Sequence, residues 1–160
     1  MKTLRIVVLT QEDGFVIPEN IKLLYQMDSV DLAAVVRIDA AGSLINKKSL
    51  FLRGFGVIQF AKMGLASIFN LLLNFIDSLF FFKLGFLKSL QSVSVMCDSE
   101  YKVMRDPNDK SNIDWLEKLN VDLVVSFSAP CVFKGELLTL PKYGCINLHC
   151  SLLPRYAGLL

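Results

Sequence analysis

The chain has 160 residues, is 53% hydrophobic and 20% charged, and carries a formal net charge of +2. That composition excludes a disordered chain, the length suits one domain with a buried core, and the near-balanced charge makes no electrostatic case for nucleic acid. Four cysteines without a CxxC pair and a single histidine cannot complete a zinc site, so no metal centre is expected and the thiols read as reduced, cytoplasmic ones.

Leu4–Leu9 is a short β-branched apolar run, the pattern of a buried parallel strand. No apolar h-region with a small-residue cleavage site is found in Met1–Thr10, so no secretory signal is expected there. Gln11–Gly14 is the loop at the strand's carboxyl end and holds no GxGxxG, which argues against a dinucleotide site. Pro18 opens a helix predicted over Glu19–Met27 with Ile21, Leu24 and Tyr25 inward, and Asp31–Ile38 is a second strand. Strand, helix and strand at this spacing form a βαβ unit, so the expected fold class is α/β, a Rossmann-like parallel sheet flanked by helices.

Leu44–Leu90 interrupts that pattern with a hydrophobic helical insertion rich in Phe, Leu and Ile. Ser67, Asn70, Asn74, Asp77 and Ser78 recur at helical steps, which predicts one or two amphipathic helices with a wide apolar face. The uncharged run Met63–Ile76 is 14 residues, short of the ~20 that a span needs. Three readings fit: a helical insertion packed on the sheet or forming a homodimer contact, an interfacial helix lying on a membrane, and a transmembrane span. The second would make the protein peripheral to the membrane.

Ser92–Met96 alternates apolar and polar and is expected to be a third strand. Asp106–Asp109 has turn and N-cap character, and a helix is predicted over Lys110–Leu119, burying Ile113, Leu116 and Leu119 and stopping at Asn120. Asp122–Phe127 is another buried strand, Lys134–Leu140 a short helix or turn, and Pro141–Tyr143 a bend. From Gly144 an apolar strand follows in which Cys145, Asn147 and His149 share one face and Ile146 and Leu148 the other. A lone histidine beside apolar residues is ordinarily a satisfied, half-buried one. Asparagine is depleted in strands, so Asn147 and His149 on one face mark a candidate site. Both groups can donate to one small reacting group, and the imidazole can move a proton.

Residues 147–158, Asn147-Leu148-His149-Cys150-Ser151-Leu152-Leu153-Pro154-Arg155-Tyr156-Ala157-Gly158, resemble the N-x-H-x-S-L-L-P-x-[YW]-x-G signature of the folate-dependent formyltransferases. The resemblance continues more weakly back to Val121 and loosely over Lys2–Ile38, and skips Leu44–Leu90. It implies transfer of a formyl group from 10-formyltetrahydrofolate to a primary amine on an amino-sugar nucleotide or methionyl-tRNA. The Phe-rich insertion leans the acceptor toward an amino-sugar nucleotide.

The resemblance also implies catalytic roles for Asn147 and His149. It puts folate contacts at Phe127, Ala129 and Cys131, chiefly through backbone groups, and at Ser151, Leu152, Leu153 and Pro154. Pro130 in that first loop has no N–H to donate. The family's catalytic aspartate follows the signature by a few tens of residues. Residues 1–160 are therefore expected to be a formyltransferase N-terminal-type domain, incomplete at its carboxyl end and inactive alone. The alternative is a non-catalytic formyltransferase-like module held at a membrane or partner surface through residues 44–90. A serine or cysteine hydrolase built on Ser151 or Cys150 lacks a GxSxG elbow.

Overall fold

The computed structural model describes residues 3–39 and 47–148. Five parallel strands form one sheet: β1 (Leu4–Thr10), β2 (Val30–Ile38), β3 (Glu100–Met104), β4 (Leu123–Phe127) and β5 (Cys145–Leu148). Their order, β3-β2-β1-β4-β5, is that of a doubly wound nucleotide-binding fold. The α/β expectation is met. β1 is central because it is apolar on both faces: Ile6 and Val8 enter one core cluster, Val7 and Leu9 the other.

Helices α1 (Ile17–Tyr25) and α3 (Leu90–Met96) cover the first face with Ile17, Ile21, Leu90 and Val93. Helices α4 (Lys110–Lys118) and α5 (Gly135–Thr139) cover the second with Leu116 and Leu137. α1 starts where the Asp13 carboxylate accepts from the N–H groups of Phe15 and Val16, at 2.6 and 3.0 Å, and Pro18 fits the first turn. Its inner residues are Ile17, Pro18 and Ile21, with Leu24 packed against the same core cluster; Tyr25, the last residue of the helix, is exposed, contrary to expectation. Leu119, expected to be buried, is only half-buried just after the end of α4, and Asn120 stops the chain's helical path with φ 52°.

The expected strand over Ser92–Met96 is instead part of α3. Ser89 caps that helix, its hydroxyl accepting from the Ser92 N–H at 3.1 Å, and Ser94 bonds back to the Gln91 carbonyl at 2.8 Å. A five-residue alternation is too short to fix the period, and the serine cap decides it. The true third strand is Glu100–Met104, at the sheet edge, where Glu100 and Lys102 interrupt the usual apolar signal.

The insertion is dominated by α2 (Lys47–Leu79), broken at Gly56, whose φ of 74° and ψ of 169° interrupt the helix. Leu44–Asn46, at its start, lie outside the described residues. Two polar side chains of α2, Asn70 and Asp77, turn toward the domain. Asp77 is fully buried and accepts from the Ser92 hydroxyl at 3.1 Å and the Leu84 N–H at 2.9 Å. The Asn70 amide donates to the Gly14 carbonyl at 3.2 Å. At Gly14 a Cβ would stand 2.7 Å from the Lys88 carbonyl oxygen, so only glycine allows that approach of the β1–α1 loop.

Replacing Asp77 by Ala leaves the Ser92 hydroxyl and Leu84 N–H buried without their acceptor. It should lower the unfolding free energy by about 2–6 kcal/mol at roughly 1–3 kcal/mol per orphaned group. Asp77→Asn, which keeps one acceptor, should lose less; urea unfolding of both variants checks the order.

Candidate active site

The parallel register pairs Ser126 of β4 with Asn147 of β5 and Val124 with Cys145, so these four side chains share the face that carries α4 and α5. Beyond the strand ends, Ser128 takes φ 48° and turns the chain. The turn is tied down by Thr10, a fully buried hydroxyl that donates to the Phe127 carbonyl at 2.6 Å and so joins the ends of β1 and β4. A cleft of about 250 Å³ opens beside these ends, lined among others by Ser126, Ala129, Cys131, Phe133, Cys145 and Asn147. It lies at the carboxyl ends of parallel strands, where open α/β sheets take their ligands.

Asn147 is exposed on this cleft, and among the described residues no side-chain or backbone group bonds its amide. A side-chain amide in that position can donate or accept a hydrogen bond. Ala129 and Cys131, expected near the folate, do line the cleft. Phe127, expected with them, does not: its ring packs into the opposite core cluster beside Val125, and its carbonyl is already bonded by Thr10. Ser126, one residue earlier and on the other face of β4, lines the cleft, as strand alternation dictates. His149, Ser151, Leu152, Leu153 and Pro154 lie outside the described residues.

The two thiols of the cleft are chemically quiet. Burial, with the negative charge of Asp106 adding to it, pushes Cys131 up to about 11. Burial also raises Cys145, whose thiol donates to the Leu137 carbonyl at 3.6 Å. A raised pKa keeps the neutral thiol at pH 7, which suits neither a nucleophile nor a metal ligand. Among the described residues no cluster of His, Cys, Asp and Glu could hold a metal ion. Because thiolate forms only as the pH climbs toward the raised pKa, iodoacetamide should label Cys131 and Cys145 slowly at pH 8. Labelling should then accelerate above it, as read by peptide mass mapping.

A formyl transferase family model matches residues 85–160. The methionyl-tRNA formyltransferase of Clostridium tetani is 45% identical over 51 residues, 32% of this chain and 16% of that protein. That of Blochmanniella pennsylvanica is 31% identical over 121 residues, 72% of this chain and 37% of that protein. The chain thus spans well under half the length of the curated relatives it matches. Glycinamide ribonucleotide transformylase 1 from Symbiobacterium toebii is similar in fold, with a TM-score of 0.54 and 15% identity, covering 98% of this chain and 56% of that one. The family match over residues 85–160 and the aligned relatives make this chain a member of the formyltransferase family, and the likeness to the transformylase shows the shared fold.

Proposed function

We propose that the chain carries the carbonyl-polarising half of a formyl transfer from 10-formyltetrahydrofolate to a primary amine, with Asn147 as the donor at the formyl oxygen. The observation that carries this is the Asn147 side-chain amide, without a partner among the described residues, on the cleft beside the ends of β4 and β5. Attack by the amine turns the carbonyl carbon tetrahedral and loads negative charge on its oxygen. A fixed N–H directed at that oxygen lowers the barrier because its stabilisation grows as the charge grows. His149, two positions on, is assigned a second hydrogen bond or the movement of the amine's proton. Ser151, Leu152, Leu153 and Pro154 are assigned to the wall against which the folate lies. The cleft walls of Ala129, Cys131 and Phe133 are apolar and at about 250 Å³ suit the formyl-bearing end of the donor.

The names of the matched relatives support methionyl-tRNA as the acceptor. A second acceptor, an amino-sugar nucleotide, is favoured by the cleft itself: among the described residues no Lys or Arg lines it, and RNA affinity rests on such contacts. Free thiols at Cys97, Cys131 and Cys145 support a cytoplasmic setting. The reading as a non-catalytic module predicts no folate binding at all.

The test is formyl transfer by the full-length protein from 10-formyltetrahydrofolate, assayed with methionyl-tRNA and with an amino-sugar nucleotide. Asn147→Ala should cut kcat by about 10²–10³, the usual loss for one oxyanion donor, with the KM for the donor little changed. An unchanged kcat would remove Asn147 from the mechanism.

A further inference from the structure

Outside the cleft, the most unusual feature is the direction in which α2 turns its faces. Between Gly56 and Leu79 the helix runs 24 residues, roughly 36 Å at about 1.5 Å per residue, and its most apolar 18-residue window has a mean hydropathy of 1.5 with none of that window buried. Two of its polar residues face the domain: Asn70 is tied to Gly14, and Asp77 to Ser92 and Leu84. Ser67 and Ser78 bond back to the Met63 and Phe75 carbonyls, at 2.8 and 2.6 Å. The outward face is an unbroken apolar stripe. Ile58, Leu65, Ile68, Leu72, Phe75 and Leu79 follow one another at helical spacing, each at least 53% exposed. Water-soluble surface helices do the reverse, and an apolar stripe of this length marks an interaction surface.

Charge decides the occupant. Of the seven charged residues from Lys47 to Lys88, six are basic, and the one acid, Asp77, is buried. The rest of the chain holds 11 basic and 14 acidic residues, so the positive charge is concentrated on the insertion. A second copy meeting this face with its own would set positive against positive. An anionic bilayer surface meets both properties, taking the apolar stripe into its headgroup–acyl boundary and the lysines onto its phosphates. Lys62, at the margin of the stripe, and Lys83, beyond its end, are exposed and long enough to reach the headgroups while their stems stay apolar. A helix fastened to its domain at Asn70 and again at Asp77 lies alongside that domain, so it rests on the membrane and does not cross it.

We propose that the outward face of α2 docks the protein on anionic lipid, placing the helix between the bilayer and the domain. The test is flotation of the full chain with vesicles of phosphatidylcholine alone and of phosphatidylcholine mixed with phosphatidylglycerol. Binding should be strong with the mixed vesicles and weaker with the neutral ones. It should fall more than about tenfold in a Leu65→Gln, Ile68→Gln, Leu72→Gln, Phe75→Gln variant, whose changes remove only exposed apolar area and leave the melting temperature unchanged. Lys62→Glu with Lys83→Glu should lower binding to the mixed vesicles alone. Absence of flotation, or equal flotation by the variant, overturns the proposal. A lipid-free dimer that the variant converts to monomer, with no vesicle binding, would give the face to a second copy. Resistance to an alkaline carbonate wash would show a crossing helix and overturn it too.

Discussion

The register between β4 and β5 is the constraint on which the site depends. Pairing Ser126 with Asn147 brings the asparagine amide to the same face as the cleft, and a slip of one residue would turn it to the other side of the sheet. The register is held from several directions. Cys145 packs into the second core cluster, the Tyr143 N–H donates to the Asp122 carbonyl at 2.7 Å, and the Val124 N–H to the Gly144 carbonyl at 3.1 Å. On β4's other side, the Thr10 hydroxyl fixes the Phe127 carbonyl and with it the turn at Ser128. The polar residue at the site is exposed, but the frame that aims it is buried.

Much of this was legible in the sequence, for identifiable reasons. β1, β2 and β4 are β-branched runs buried on both faces, and nothing else reads that way. α1 and α4 carry their start and stop signals beside them, in Asp13, Pro18 and Asn120. What failed were short segments in which a local hydrogen bond outweighs the pattern. At α3 the Ser89 cap converts an apparent strand into a helix, and at β3 an edge position permits a sequence with little strand character. At the site, alternation placed Asn147 correctly on the shared face. Of the folate contacts that the family resemblance implies, Ala129 and Cys131 line the cleft, whereas the Phe127 side chain packs in the core.

The insertion shows a different limit. Helical periodicity says which residues share a face but not which face turns inward. Apolar burial would ordinarily choose the Leu and Phe stripe, at roughly 25 cal/mol per Å². Here the β1–α1 loop offers a carbonyl, α3 a hydroxyl and the segment after α2 the Leu84 N–H, and the polar stripe answers them at Asn70 and Asp77. The apolar stripe is left for an external partner. The same β1–α1 loop receives the Leu90 N–H through Glu12, at 3.0 Å, so the insertion and the sheet's carboxyl end are held by one short segment.

The central chemical claim is a hydrogen bond from the Asn147 amide to a formyl oxygen. Isotope-edited infrared spectroscopy of a ¹³C-formyl folate donor bound to the full-length protein reads that bond directly. The account predicts a carbonyl stretch shifted to lower frequency in the wild type and returned toward its solution value in Asn147→Ala. The same bound frequency in both proteins would contradict it.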